Sequence, residues 1–138
     1  MIKKEDLRIG NVLNYQTEEG DIMIAVIDWQ DLKWITEDPE WFNAVHNGIE
    51  LTPSVMTDFL GFEKYEPTYF NDRENITLCG WCPFDRIQVV LRSNGENEIH
   101  TPVSRDSITI KRPITHLHQL QNLYHALTGE ELTINIQS

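Results

Sequence analysis

Between Ile22 and Ile27 the apolar residues fall on both faces of an extended chain, with Ile22, Ile24 and Val26 alternating against Met23, Ala25 and Ile27. A strand that is apolar on both sides predicts a central place in a sheet. Upstream, Val12, Leu13, Asn14 and Tyr15 give a shorter strand, and "TEEGD" (17–21) is the turn between the two. Downstream, Gln30 and Asp31 read as a turn into a third short strand, "LKWIT" (32–36). Several short strands within about 50 residues, entered through Gly10-Asn11, predict a meander or small barrel of SH3-like type.

The pattern changes at "LTPSVMTDFLGF" (51–62), where Val55, Met56, Phe59 and Leu60 make one helical stripe. Thr52 suits the N-cap, Pro53 the first helical position and Gly61 the end. The segments around "GFEKYEP" and "TYF" read as extended. "DRIQVVLRSNGENEIHTPV" (85–103) predicts a hairpin, with Ile87, Val89 and Leu91 alternating and Asn94-Gly95 as a two-residue type I′ turn. "DSITI" (106–110) adds a strand, and Pro113 punctuates before the strongest helix, "THLHQLQNLYHALTG" (115–129). At 100° per residue, Leu117, Leu120, Leu123, Tyr124 and Leu127 share a face, which predicts their burial between a Thr115 cap and a Gly129 stop. "ELTINI" reads as a terminal strand. The class expected is α+β: a barrel-like half over residues 1–51, then antiparallel strands with two helices over 52–138. No flexible linker separates the halves, so they are expected to pack as one unit.

Charge narrows the function classes. The net charge is −11, and residues 1–75 hold 16 acids and 6 bases while residues 76–138 hold 6 and 5. Within 18–40 stand Glu18, Glu19, Asp21, Asp28, Asp31, Glu37, Asp38 and Glu40 against Lys33. Such a surface repels a phosphate backbone, so direct nucleic-acid binding is not expected. It is either a solvated coat or a face for a basic protein. Trp29, Trp34 and Trp41 lie in the same segment; buried barrel indoles are the plain reading, and an exposed one would be an anchor for a partner. No apolar run reaches the roughly 20 residues needed to span a bilayer. The opening "MIKKEDLRIGN" is not expected to be a secretory signal, and two cysteines suit a reducing cytoplasm.

Candidate chemistry is sparse. Cys79-Gly80-Trp81-Cys82 has the CxxC spacing of a redox pair or half a zinc site. A strand, rather than an activating helix, follows it, and two further ligands are missing unless His46, His100 or an acid supplies them. Strand or turn packing is therefore expected, with no metal and no cofactor. His118 and His125 stand roughly 10 Å apart along one helix face, too far for one ion. With Gln121 and Asn122 they read as a solvated face opposite the leucines, or as a second docking surface. No nucleophile elbow, phosphate loop, dinucleotide fingerprint or zinc-protease helix occurs.

"EDLRIGN" (5–11), "LTPSVMTDFLGF" and above all "HLHQLQNLYHALTGEEL" (116–132) resemble an uncharacterised family of small proteins from gut-bacterial genomes and their phages or prophages. The family pattern opens on DLRIGN and closes on a VHQLQNLYFALTGEEL-like segment, and His125 stands here where an aromatic or variable residue is expected. The divergent middle, "CGWC" included, lies outside it. The resemblance implies a compact cytoplasmic protein of phage or prophage origin rather than an enzyme with a named motif. The expected function is a non-enzymatic interaction module. Its acidic face for a basic protein would comprise Glu18, Glu19, Asp31, Trp34, Glu37 and Trp41, with His118, Gln121, Asn122 and His125 as the secondary face. The alternative is a metal-dependent or thiol enzyme using Cys79 and Cys82.

Overall fold

The computed structural model describes residues 2–64, 72–81, 87–103, 106–111 and 114–134. It is an α+β structure in two compact units, one of Met1–Glu50 with His116–Glu131, the other of Leu51–Thr115 with Leu132–Ser138. The closing helix thus belongs to the N-terminal unit, although sequence order had placed it in the second half.

The first unit opens with a 3-10 turn, Lys4–Asp6, and a three-stranded antiparallel sheet of order β2-β1-β3, from β1 (Val12–Gln16), β2 (Ile22–Val26) and β3 (His46–Gly48). The expected SH3-like barrel does not form: the sheet is open, and β2 is an edge strand rather than a central one. The third barrel strand is missing because "LKWIT" is not a strand but part of a helix, α1 (Trp29–Glu37), followed directly by α2 (Pro39–Val45). Three acids explain this. Asp28 caps α1 in a reciprocal box, its carboxylate accepting from the Asp31 N–H (3.1 Å) while the Asp31 carboxylate accepts from the Asp28 N–H (3.0 Å). Asp38 accepts from the Trp41 N–H (3.1 Å) and so caps α2, whose first residue is the proline that a helix start tolerates. Leu7, Leu13, Ile27, Ile35 and Phe42 form the core, with Ile2 and Leu32 packed on it.

Helix α3 (Leu117–Thr128) packs against β1. His116, not Thr115, is its N-cap, and the Gln119 side chain accepts from the His116 N–H (3.1 Å). Gly129 ends it in the left-handed region, as expected. Its rotation differs from the leucine stripe. Leu117, Leu120 and Tyr124 are buried, but Leu123 is only partly so and Leu127 is exposed, while His118 and Gln121 are buried instead. At 100° per residue the buried arc is turned by roughly 70° from the arc the leucines define. The polar residues on that arc bond to the chain beneath them, described below.

The second unit is a five-stranded antiparallel meander, β4 (Glu63–Lys64), β5 (Ile76–Trp81), β6 (Gln88–Arg92), β7 (Glu98–Val103) and β8 (Asp106–Lys111), in the order β4-β5-β6-β7-β8. Val89, Val90 and Leu91 are all buried, as a central strand requires. The hairpin β6-β7 is present, but its connection is longer than a two-residue type I′ turn. The last paired residues are Val90 and Glu98, the Gly95 N–H donates to Arg92 O (3.1 Å), and the Asn97 carboxamide accepts from the Arg92 N–H (2.9 Å). Arg92 also holds Asp72 (2.6 Å) and Glu98 (3.1 Å). The "LTPSVMTDF" helix begins as expected, Thr52 Oγ1 accepting from the Val55 N–H, then widens into a π-helical turn over Val55–Phe59 that buries Met56 and Leu60. Residues 131–134 are not a strand, though Leu132 is buried. Ile136, Pro113 and most of "KYEPTYF" lie outside the described residues.

Candidate functional site

Trp34 on α1 and Trp41 on α2 are brought together by the Asp38 corner. The Asp38 N–H donates to the carbonyl of Trp34 (2.8 Å) while its carboxylate holds the N–H of Trp41, so one residue closes one helix and opens the next. The indoles lie 5.4 Å apart between centroids, tilted at 50°. They are not buried: Trp34 is 50% exposed, Trp41 45%, and Trp29 at the start of α1 64%. The helices turn Ile35 and Phe42 inward and leave the tryptophans outside. Barrel indoles, the plain reading of the sequence, are replaced by an aromatic pair in water.

The acids around them divide into two kinds. Asp28, Asp31 and Asp38 are committed to the helix caps. The backbone N–H of Asp31 holds the Asp28 carboxyl below its ordinary range, whereas burial, opposed by its bond to the Asp28 N–H, raises that of Asp31. Glu18, Glu19, Asp21, Glu37 and Glu40 are exposed, and no ion pair joins them to a base among the described residues. The first unit carries 13 acids against 4 bases, a net −9, and the second 9 against 7, a net −2. The charge of the protein is therefore a property of the unit that presents the tryptophans.

The polar side of α3 is not a solvated face. The Gln121 carboxamide accepts from the Val12 N–H (2.8 Å) and donates to Gly10 O (3.1 Å). Asn122 accepts from Asn11 Nδ2 (2.8 Å) and Arg8 Nε (3.2 Å), and donates to Asp6 O (2.7 Å). Arg8 further pairs with Glu131, which holds that carboxyl below its usual range. Of the four residues expected as a secondary face, His118 and Gln121 are buried and Asn122 is engaged with the N-terminal segment; His125 is partly exposed. The face does dock, but onto its own chain.

His118 is the unusual member. Its Nδ1 is buried with no hydrogen-bond partner among the described residues, and the His116 ring lies 5.9 Å away between centroids. Burial first, and His116 second, push its pKa down to about 4, against an opposing pull from Asp6. The native imidazole is therefore neutral at pH 7, whereas in the unfolded chain it takes a proton near its ordinary pKa of about 6.5. Its contribution to stability is complete above that value and is lost as the pH falls toward the folded pKa. Between pH 7 and pH 5 the wild type should lose about 1–2 kcal/mol more than His118→Leu, after allowance for residual solvent screening. Urea titrations at the two pH values check this, and equal losses in both proteins would remove the assignment.

Cys79 is buried in β5 opposite Val90, as a packing residue would be, and Cys82 lies outside the described residues. No group of three or more His, Cys, Asp or Glu that could hold a metal ion occurs among the described residues. Among them, too, no helix is long and apolar enough to cross a membrane. In comparisons with family models, curated proteins and solved structures, nothing matches the chain.

Proposed function

We infer that the chain is a non-catalytic interaction module whose N-terminal unit binds a basic protein through Trp34, Trp41 and the acids around them. The observation that carries this reading is the exposure of three tryptophans in the segment that concentrates the charge. A solubility coat has no need of indoles, and a core has no use for indoles in water; a partner uses both, the acids for encounter and the rings for retention. The resemblance at the two ends of the chain supports a phage or prophage origin and a cytoplasmic setting for this binding.

The test separates the two contributions. Glu18→Gln, Glu19→Gln, Glu37→Gln and Glu40→Gln together spare the capping aspartates, so the fold is retained. This variant should capture partners from host lysate more slowly, and the remaining capture should lose its salt dependence, since charge is screened beyond roughly 8 Å at physiological salt. Trp34→Ala with Trp41→Ala should remove the salt-resistant part. Quantitative mass spectrometry showing the same partners at the same rates in all three proteins would reduce the acids to a coat.

A further inference from the structure

The edge strand β2 has an open side. Its neighbour is β1, with Leu13 opposite Ala25 and Tyr15 opposite Met23. On either side of the strand, Thr17 N–H donates to Asp21 O (2.8 Å) and Ile27 N–H to Asn11 O (2.8 Å), so residues 21 and 27 bond toward β1. Antiparallel alternation then makes 23 and 25 bond the same way and turns the N–H and C=O groups of Ile22, Ile24 and Val26 outward. No hydrogen bond joins those outward groups to another described residue. The other edge of the sheet is different: beyond β3, Ile49 O accepts from Leu117 N–H (2.7 Å) and Glu50 bridges His116, so the start of α3 covers that side.

Proteins protect such edges with lysines, prolines or bulges. Between Ile22 and Val26 there is no charge and no proline, and Ile22 (72% exposed), Met23 (58%) and Val26 (55%) leave apolar side chains on both faces. The charges stand at the ends, with Glu18, Glu19 and Asp21 before the strand and Asp28 after it. A second copy added antiparallel across the edge would bring Glu18, Glu19 and Asp21 of one chain to Asp28 of the other, at both ends of the pairing. Like charges so placed oppose that pairing. A strand with basic ends meets acids at both ends.

We propose that β2 is a docking edge that receives an extended basic segment of the partner protein as a fourth strand of the sheet. Three outward N–H and three outward C=O groups supply the main-chain ladder, Ile22, Met23 and Val26 contact alternate apolar side chains of the guest, and the terminal acids select lysine or arginine at its ends. This rests on the reading of the unit as a binder of basic protein, and it adds the backbone as the recognised element.

The probe is a synthetic peptide of about ten residues alternating lysine and valine, compared with the same peptide N-methylated at every second amide to block one hydrogen-bonding edge. The unmodified peptide should bind at low salt and slow hydrogen exchange at the amides of Ile22, Ile24 and Val26. N-methylation should weaken binding at least about ten-fold, because charge and side chains are kept while the ladder is lost. Ile24→Pro, at an outward position of an edge where proline is tolerated, should do the same. Should it unfold the protein, Ile22→Lys with Val26→Lys replaces it, repelling the basic guest from a surface position. Equal binding of both peptides would overturn the edge while leaving acid and tryptophan binding intact. Absence of binding by either peptide would overturn the edge as well, and the glutamine and tryptophan variants judge the broader reading separately. A concentration-dependent dimer in sedimentation that Ile24→Pro abolishes would give the edge to a second copy and refute a basic guest.

Discussion

Replacing Gln121 with leucine should cost about 2–5 kcal/mol, although the two side chains are close in volume and no cavity results. The carboxamide of Gln121 is buried and engages two main-chain groups at the entry to β1, the N–H of Val12 and the carbonyl of Gly10. Leucine would leave both without partners, the Val12 N–H where water cannot replace it and the Gly10 carbonyl in a partly buried place. A buried donor so stranded costs about 1–3 kcal/mol and a partly buried carbonyl somewhat less, about 1–2 kcal/mol, which together set the range. Gln121→Glu keeps the acceptor for Val12 but puts a carboxylate against the Gly10 carbonyl, and it should be no better tolerated. Urea denaturation with an unchanged slope and a lowered midpoint is the expected record. A loss under about 1 kcal/mol would mean that the Gln121 bonds do not hold β1.

The same residue shows where sequence pattern runs out. A helical wheel treats glutamine and histidine as solvent-facing, which puts His118 and Gln121 opposite the leucines. Yet the start of β1 leaves main-chain groups that β2 does not satisfy, and a glutamine carboxamide, with an acceptor oxygen beside a donor NH2, supplies what leucine cannot. The N-terminal unit shows the complementary case. The period-two run from Ile22 located a strand correctly, but apolar residues on both faces mean burial on both sides only when something covers them, and nothing in one segment says what does. The helix α1 was legible in principle. Asp28 and Asp31 at capping-box spacing and Trp29, Leu32 and Ile35 three apart are helix signals, which a turn reading of Gln30-Asp31 leaves out. Asp38-Pro39 was a second start signal of the same kind. By contrast the helix start at Thr52 and the stop at Gly129 rest on local backbone chemistry, and there the sequence and the structure agree on position, while the hairpin near Gly95 forms with a longer connection than Asn94-Gly95 implies. Of the proposed binding face, the acids and Trp34 and Trp41 are visible as composition; their exposure is not, because it depends on which face of each helix Ile35 and Phe42 turn inward.

Phe42→Ala should therefore damage both the core and the face. Phe42 is fully buried among Leu7, Leu13, Ile27 and Ile35, and its ring stacks on His46 at 3.9 Å with 12° between planes. The His46 Nδ1 lies 3.0 Å from the Phe42 carbonyl, so the stack is held at both ring and backbone. Truncation removes the transfer energy of a phenyl group and leaves a cavity that a core bounded by two short helices fills only by moving them, about 3–5 kcal/mol in all. Phe42→Leu keeps most of the volume and loses the stack, and should cost about 1–2 kcal/mol. The movement matters because Trp41 precedes Phe42 directly, and the 5.4 Å indole pair exists only while α1 and α2 keep their angle. Coupled indoles at that distance give a paired circular-dichroism band that separated ones lack. The band should weaken in Phe42→Ala under conditions where the protein is still folded, and persist in Phe42→Leu. A loss of about 3–5 kcal/mol with the band intact in the folded protein would show that the Asp38 corner alone sets the pair, and the proposed binding face would then be independent of the core beneath it.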